Sequence, residues 1–316
     1  MRYRRLGITG LEVSELSYGS WINFGDQLDV AASRDLVHAA FSAGVNFFDC
    51  AEVYADGEAE KLLGLALRDL PRGDFVVSTK IFGNGTGPNR EGLNRKRLLE
   101  GTAASLQRMG LAHVDLIYAH RPDPHVAMAE LVRSMSLLVE RGLAHWWGTS
   151  EWSAAEIEAA FVEAERHHLV PPSMEQPQYN LLTRQRVEEE LAPLTARGLG
   201  LTTWSPLAYG ILSGKYAAGV PAGSRLSREA RLRKRATPET LARTEELARL
   251  AGRYGMTAAQ AAIGWCLRRE EVSTVILGAT SRVQLEENLA APEKCRAAGK
   301  DLFPAMEALF RSDLAR

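Results

Sequence analysis

Short apolar segments alternate with amphipathic helical segments along this chain. Nearly continuous apolar segments are typical of parallel strands that helices cover on both faces. The expected strand ends recur about every 30 residues, the length of one strand–helix unit. Strands are predicted at 15–18, 46–50, 75–80, 114–120, 144–150, 174–176, 199–204 and 274–278. Helices are predicted at 33–43, 58–70, 95–109, 126–141, 154–167 and 187–196.

Eight such units predict a (β/α)8 TIM barrel, in a single domain that spans residues 1–316. An open doubly wound sheet is the alternative architecture. Residues 1–13 are expected to form an N-terminal β-hairpin that closes the bottom of the barrel, and residues 301–314 a terminal helix. The interval between strands 7 and 8 is much longer than any of the others, so an insertion at about 206–238 and an extra helix are predicted there.

Two local patterns support these helix boundaries. A glycine followed by an apolar residue stands after four predicted helices, at Gly44, Gly110, Gly142 and Gly198. This pattern is typical of a left-handed helix stop followed by a hydrophobic contact. Ser153 with Glu156 predicts a capping box at the start of a helix.

The composition excludes several classes of protein. An apolar fraction of 46% and a charged fraction of 24% are those of an ordinary globular protein and not of a disordered or fibrous chain. The 38 basic and 39 acidic residues nearly cancel, which argues against a nucleic-acid or membrane-surface partner and favours a small molecule. The three cysteines form no CxxC pair, and we find neither a signal peptide nor a long apolar segment. A reduced, cytoplasmic setting is therefore expected.

Four polar residues stand at or just after the ends of successive predicted strands, where barrel enzymes place their reactive groups. They are Asp49, Tyr54, Lys80 and His120. Each alone fits an ordinary structural role, but together they suggest a mechanism. The Lys80 ammonium would lower the pKa of the Tyr54 phenol, Asp49 would keep Lys80 protonated, and His120 would orient a carbonyl oxygen. No clustered set of metal ligands is predicted, which makes a metal-dependent hydrolase a poor alternative.

Three segments are candidates for a phosphate site, and the sequence leaves a second interpretation open for each. The chain has neither a G-x-G-x-x-G strand–helix turn nor a P-loop. The segment 83–88 is interpreted as a flexible loop over the barrel mouth, with a phosphate cradle as the alternative. The turn 278–281 leads directly into a helix, and it can be either a Ser281/Gln284 capping box or a phosphate site. The basic segment 224–235 is either a solvated surface or a source of arginines for a phosphate.

Longer motifs resemble a known family. FDCAEVY at 48–54, EAEKLLG at 58–64, STK at 78–80, DLIYAHRPD at 115–123, GTS at 148–150, TWSPLA at 203–208, SGKY at 213–216 and LGA at 277–279 resemble the aldo-keto reductases over nearly the whole chain. The WSPLA and SGKY segments are most similar to the branch that contains the voltage-gated potassium channel β subunits and related bacterial reductases.

The resemblance implies NADPH-dependent reduction of an aldehyde or ketone, with Asp49, Tyr54, Lys80 and His120 as the catalytic tetrad and Tyr54 as the proton donor. It places the nicotinamide of NADPH against Trp204, with Ser150 and Gln176 on its carboxamide. The other residues that the resemblance assigns to the cofactor are Ser20, Trp21, Gln27, Ser205, Leu207, Lys215, Arg225, Gly278, Thr280, Gln284, Glu287 and Asn288.

Two positions depart from patterns in the family. Glu151 stands where the family usually has Asn or Arg beside the nicotinamide. His120 stands where the channel β subunits have Asn, which favours a working reductase over a nucleotide-sensing partner subunit with low turnover. The substrate pocket is expected to include Trp21, Phe24, Phe82, residues 83–89 and Trp152, which suggests an apolar or aromatic carbonyl compound. The resemblance also allows a homo-oligomer, as some relatives form.

Overall fold

The structure is a computed structural model that describes residues 1–21, 23–83, 85–299 and 301–311. Within these ranges, eight parallel strands close into a barrel, and an antiparallel two-stranded hairpin precedes them. The hairpin strands are β1 (Tyr3–Arg5) and β2 (Glu12–Ser14). The barrel strands are β3 (Leu16–Gly19), β4 (Phe47–Asp49), β5 (Val76–Ile81), β6 (Val114–Ala119), β7 (Ala144–Ser150), β8 (Met174–Gln176), β9 (Gly200–Thr203) and β10 (Val272–Leu277).

Helices follow the strands around the outside of the barrel. In the first half they are α1 (Val30–Ser42), α2 (Glu58–Leu67), α3 (Arg95–Met109), α4 (Met128–Glu140) and α5 (Ala154–Arg166). In the second half they are α6 (Ala192–Ala196), α7 (Arg225–Arg228), α8 (Ala230–Arg233), α9 (Pro238–Gly252), α10 (Ala258–Cys266), α11 (Arg282–Leu289), α12 (Ala291–Ala298) and α13 (Leu302–Leu309). Within the described ranges, none of these helices is long and apolar enough to cross a membrane.

Barrel closure confirms the predicted (β/α)8 fold, and the open doubly wound sheet is wrong. The first and last barrel strands pair in parallel, with Leu16 opposite Val275 and Tyr18 opposite Leu277. β7 and β8 have the predicted bounds, and the other barrel strands lie within two residues of theirs. The barrel strands are almost wholly buried because side chains fill the interior and helices cover the outside.

The predicted helix stops are also present. Gly110 ends α3 with φ +66°, and Gly198 has φ +101°, a region that only glycine enters without strain. Ser153 and Glu156 form the predicted capping box at the start of α5.

The predicted helix at 187–196 is broken. One π-helical turn (Arg186–Glu190) is followed by α6, which has Pro193 in its first turn. Proline has no N–H group and cannot continue a helix from the preceding turn, so the break coincides with it. At the end of the chain, α13 confirms a terminal helix as far as residue 309, and residues 312–314 of that prediction lie outside the described residues.

The N-terminal hairpin covers the amino-terminal end of the barrel, as predicted. Leu6 and Val13 pack on Phe47, Val76 and other side chains inside the barrel floor. The Arg4 guanidinium donates hydrogen bonds of 2.8–2.9 Å to the carbonyls of residues 267, 269 and 272, just before and at the start of β10. This end is thereby filled, so the carboxyl end is where the barrel can open.

The predicted insertion lies between β9 and β10. It begins with a 3-10 turn (Ala208–Ser213) and continues through α7 and α8. The extra helical content that the long interval implies is found in α9 and α10. This inserted segment approaches the carboxyl end of the barrel and forms part of the site described next.

Candidate active site

A cavity of about 470 Å³ opens at the carboxyl end of the barrel strands. Asp49, Tyr54 and His120 lie on one side of it, and Thr280 and Gln284, at the start of α11, line another part. Residues from the inserted segment between β9 and β10 form a further wall. We call this cavity the cleft.

The centre of the cleft wall is a buried ion pair. Lys80 lies on β5 and has no exposed surface, and its Nζ donates to Asp49 Oδ2 at 2.7 Å and to the Cys50 carbonyl at 2.7 Å. Burial favours the neutral amine, but the Asp49 charge, Tyr54 and the hydrogen bonds that Lys80 donates to both outweigh it, so the pKa of Lys80 is raised. The predicted pairing of Asp49 with Lys80 is therefore present in the structure.

Other donors hold the Asp49 carboxylate in place. Ser78 Oγ donates to Asp49 Oδ1 at 2.7 Å, and Gln176 Nε2 donates to the same oxygen at 3.0 Å. Together with Lys80, these donors engage both carboxylate oxygens. Ser78 and Lys80 lie on the neighbouring strand β5, whereas Gln176 reaches Asp49 from β8 across the barrel, so strand register and barrel closure together fix the ion pair.

The Tyr54 hydroxyl lies at the edge of this pair. It accepts a hydrogen bond of 3.1 Å from Lys80 Nζ, and its side chain is partly buried in the cleft wall. Burial raises the pKa of Tyr54, against the opposing charge of Lys80. Lys80 acts in the predicted direction, but the net pKa is not lowered, since desolvation of the phenolate exceeds the attraction of the ammonium. A protonated Tyr54 hydroxyl at neutral pH can donate a hydrogen bond into the cleft.

His120 directly follows β6 and lines the cleft, as Tyr54 does. Its ring makes an edge contact with the Tyr54 ring, with 6.0 Å between centroids. Burial, together with the charges of Lys80 and Arg121, holds the pKa of His120 well below its usual value. The imidazole is therefore neutral at pH 7 and can donate one N–H to an oxygen without carrying charge.

Trp204 follows β9, and Glu151 fixes its indole ring. The Trp204 Nε1 donates to Glu151 Oε1 at 2.9 Å, and the Gln178 N–H donates to the same oxygen at 2.6 Å. Glu151, the first residue after β7, has φ +61°. This backbone conformation is uncommon for a residue other than glycine. The departure at this position therefore supplies an acceptor that orients the Trp204 ring.

Aromatic contacts extend from Trp204 across the cleft. The Trp21 ring meets the Trp204 ring edge-on at 5.5 Å and lies 6.4 Å from the Tyr209 ring. The Arg225 guanidinium lies 4.5 Å from the centre of the Trp21 ring, and Arg235 lies 5.4 Å from that of Tyr209. Edge-on ring contacts and cation–π contacts thus hold the inserted segment against the barrel.

The start of α11 forms the far end of the cleft. Ser281 Oγ accepts a hydrogen bond from the Gln284 N–H at 3.3 Å, but Gln284 Oε1 accepts from the Thr280 N–H at 3.0 Å. This is one half of the predicted capping box, with the return bond shifted by one residue. Gln284, which takes part in this cap, also lines the cleft, whereas Ser281 does not.

Most of the predicted site residues line the cleft. They are Trp21, Gln27, Asp49, Tyr54, His120, Ser150, Gln176, Trp204, Ser205, Leu207, Lys215, Arg225, Gly278, Thr280, Gln284 and Asn288. Three predicted residues lie behind it or beside it. Ser20 is buried and donates to the Asp49 carbonyl at 3.1 Å, Lys80 is buried behind Tyr54, and Glu287 accepts from the Thr257 hydroxyl at 2.9 Å.

Several cleft residues were not predicted from the sequence. Asn23, Arg121, Tyr209, Ser224 and Arg228 all line the cleft. They lie in connections without periodicity, so neither strand ends nor helix caps indicate them. The basic character of 224–235 was the available signal for Arg228.

Parts of the predicted substrate pocket are wrong. Phe24 and Trp152 are each only 1% exposed, so they belong to the core and not to the cleft. Phe82 and the described residues of the 83–89 loop are also absent from the cleft lining. Asn84, within that loop, lies outside the described residues. Trp21 is the predicted pocket aromatic that does line the cleft.

The fold and the site together define a barrel oxidoreductase. The chain belongs to the aldo/keto reductase family, whose model matches residues 15–298. This confirms the resemblance drawn from the motifs.

Curated relatives cover most of the chain. A probable voltage-gated potassium channel subunit beta of Oryza sativa subsp. japonica is 48% identical over 319 residues, which cover 99% of this chain and 97% of the relative. One of the same description from Arabidopsis thaliana is 48% identical, with 92% of this chain and 91% of the relative covered. A putative voltage-gated potassium channel subunit beta of Schizosaccharomyces pombe is 45% identical, with 92% and 88% covered.

Proposed function

We propose that this protein reduces an aldehyde or ketone to an alcohol with NADPH, and that Tyr54 gives the proton. The observation that carries the proposal is the Tyr54 hydroxyl, 3.1 Å from the Nζ of a buried, protonated Lys80 and facing the cleft. Membership of the aldo/keto reductase family supports the same reaction type.

The donors along the cleft fit a nicotinamide dinucleotide with a 2′-phosphate. Trp204 offers an aromatic surface to the cleft that Tyr54 also lines. Lys215, Arg225 and Arg228 supply cationic groups to the cleft from the inserted segment. The Ser224 hydroxyl is buried beside the cleft without a hydrogen-bond partner among the described residues. An unpaired buried hydroxyl and several cations are suited to phosphate oxygens.

Each set of residues then has a part in holding the cofactor. Trp204, oriented by Glu151, would support the nicotinamide, with Ser150 and Gln176 near its carboxamide. Arg225, Lys215 and the start of α11 near Thr280 would hold the phosphates, because cations and the positive end of the helix dipole attract them. The remaining predicted cofactor residues would complete the walls.

The chemistry that bound NADPH supplies is donation of a hydride to the carbonyl carbon. Tyr54 and His120 would both donate hydrogen bonds to the carbonyl oxygen, and Tyr54 would release its proton to that oxygen as charge develops on it. Lys80 stabilises the tyrosinate that remains, and Asp49 keeps Lys80 charged throughout. The neutral His120 leaves the proton transfer to Tyr54.

The first test is a fluorescence titration of the purified protein with NADPH and NADH, followed by turnover with a panel of aldehydes and ketones. We expect saturable quenching of Trp204 that favours NADPH, and steady oxidation of NADPH with at least one carbonyl compound. Failure of either dinucleotide to bind would overturn the proposal.

The names of the relatives favour a second candidate function. They are described as voltage-gated potassium channel β subunits, so this chain could act as an NADP(H)-sensing partner subunit with low turnover. Tight binding of NADPH with only one slow turnover, and a stable complex with a membrane channel, would favour this candidate. Sustained turnover without a partner would favour the reductase.

The same proposal includes the setting of the protein. A small carbonyl compound is the expected partner, the barrel spans residues 1–316 as one domain, and the location is cytoplasmic. The three cysteines are buried and unpaired, as a reducing compartment requires. A homo-oligomer is compatible with this proposal and is checked by light scattering.

A further inference from the structure

Three metal-ligating side chains meet at the amino-terminal end of the barrel, opposite the cleft. His113 directly precedes β6, Asp115 is the second residue of β6, and His145 is the second residue of β7. One ligand atom from each lies within 4.8 Å of the others. His113 and Asp115 flank Val114, and the pairing of Val114 with Ala144 brings His145, about 30 residues further along the chain, beside them.

The Asp115 carboxylate is held so that one oxygen faces the histidines. Asp115 Oδ2 accepts hydrogen bonds from the Val77 N–H at 2.8 Å and from Arg72 Nη2 at 2.8 Å. Its other oxygen, Oδ1, lies 3.5 Å from His145 Nδ1. The carboxylate is therefore fixed by the neighbouring strand, and Oδ1 remains available to a further partner.

The spacing of these atoms is close to that of a zinc site. Ligands at about 2.0–2.2 Å from a tetrahedral zinc ion lie about 3.4 Å from one another. The Asp115–His145 separation of 3.5 Å already matches this value. The His113 and His145 rings are 4.5 Å apart between centroids. All three ligand atoms lie within 4.8 Å of one another, so zinc binding requires them to approach by up to about 1.4 Å.

Exposure allows both access and adjustment. The His145 side chain is 45% exposed, whereas Asp115 is nearly buried. An ion can therefore reach the two histidines from solvent, and water can occupy the fourth position. Imidazole and carboxylate are ligands that zinc accepts readily, whereas calcium and magnesium favour all-oxygen sites.

We propose that His113, Asp115 and His145 form a binding site for a zinc-like divalent transition ion at the amino-terminal end of the barrel. The Arg72 charge opposes the ion, so the affinity is moderate, with a Kd on the order of micromolar. Binding ties together the starts of β6 and β7 and stabilises the fold. The site is independent of the proposed reductase function, because it is at the opposite end of the barrel from Tyr54.

The test is calorimetric titration of the full, untagged chain with zinc chloride alone, together with cobalt absorbance and thermal unfolding. The variants are His113→Gln, His145→Gln and their combination. His167→Gln is the matched control, since His167 is a half-exposed histidine 3.4 Å from the Glu163 carboxylate, without a third ligand. Asp115 is left unchanged because Arg72 and Val77 depend on it.

We expect one zinc ion per chain and a rise of about 4 °C in the unfolding temperature at saturating zinc. Each single variant should weaken binding about 10-fold or more, and the double variant should abolish both effects. The control should retain them, and cobalt should give the intense visible bands of a four-coordinate site. Absence of saturable binding below about 1 mM, or equal binding in the double variant, would overturn the proposal. Circular dichroism of each variant confirms that it is folded.

Discussion

The two walls of the cleft are built in different ways. One wall carries Asp49, Lys80 and His120 on or directly after neighbouring barrel strands, where buried hydrogen bonds of 2.7–3.1 Å fix the Asp49–Lys80 pair and Tyr54 beside it. The other carries Tyr209 and Arg225 on connections, where ring contacts of 4.5–6.4 Å fix them. We call these the strand wall and the loop wall.

The difference shows how this site divides its tasks. On the strand wall, a substitution that removes one polar group leaves its buried partner without a hydrogen bond, so single substitutions lower stability or activity strongly. On the loop wall, several exposed or stacked groups share the binding energy, so single changes are tolerated. We therefore expect chemistry to depend on the strand wall and cofactor affinity to depend on the loop wall.

The largest effect is expected from Tyr54→Phe on the strand wall. Loss of the proton donor should lower kcat by about 1,000-fold, while the Kd for NADPH changes little. Lys80 keeps its bonds to Asp49 and Cys50, so the fold should remain intact. Steady-state kinetics and NADPH fluorescence titration measure both effects.

Tyr209→Phe is the matched control, since it removes a hydroxyl from the loop wall and keeps the ring. It should retain kcat within about 2-fold. Equal losses in the two variants would show that the two walls do not differ in the way proposed here.

Lys80→Met should give the next largest effect, on stability as well as activity. It leaves the Asp49 carboxylate buried without its ammonium, which costs about 3–5 kcal/mol of unfolding free energy. Urea denaturation measures the loss, and Asp49→Asn combined with Lys80→Met should recover part of it. Lys215→Met, an exposed lysine on the loop wall, should change stability by less than about 0.5 kcal/mol. No difference between the two lysines would contradict the comparison.

Arg225→Ala tests the loop wall. Removing one charge-assisted contact should weaken NADPH binding about 20-fold and reduce the preference over NADH, with kcat nearly unchanged. Arg231→Ala is the control, because Arg231 belongs to the same segment and its side chain is 76% exposed. If both variants bind NADPH equally well, the cofactor phosphate does not reach Arg225.

Glu151 connects the two walls, and two substitutions separate its roles. Glu151→Gln keeps a side-chain acceptor for the Trp204 and Gln178 N–H groups, and should lower kcat/KM by only about 2-fold. Glu151→Ala leaves both donors without that acceptor and should lower it about 10-fold. The Trp204 emission maximum should shift in the Ala variant more than in the Gln variant. A larger loss in the Gln variant would mean that the Glu151 charge matters more than its orientation of Trp204.

The smallest effect concerns pH. Because the pKa of His120 is lowered in the folded protein, the unfolded chain binds the additional proton as pH falls below the ordinary histidine value. His120 therefore reduces stability from about pH 6.5 downward, by at most about 1.4 kcal/mol per pH unit. Between pH 7 and 5, the unfolding temperature should fall less steeply with decreasing pH in His120→Gln than in the wild type. Identical slopes in the two proteins would contradict the prediction.

The two walls also differ in how far the sequence predicts them. Asp49, Lys80 and His120 were predictable because apolar periodicity locates strand ends, and parallel strands bring their carboxyl ends together. Tyr209 and Arg228 were not, since they lie in connections whose path depends on ring stacking and on an ion pair with Asp26. The direction of the Tyr54 pKa shift was also not predicted, because it depends on how deeply the side chain is buried.

Other differences have equally local causes. Phe24 and Trp152 were placed in the pocket because they neighbour site residues in the chain, but their side chains point into the core. The predicted helix 187–196 ran through Pro193, the residue that could have indicated the break before α6. The His113–His145 contact depends on strand register, which periodicity alone does not provide.

The pairing of β3 with β10 has a consequence for synthesis of the chain. Residues 16–18 find their partners only at 275–277, and Arg4 finds its acceptor carbonyls only at 267–272. On the ribosome, the first barrel strand therefore keeps one edge unpaired until nearly the whole protein has emerged. An open edge of this kind can pair with other chains, so the emerging protein is most prone to aggregation just before its last strand is made.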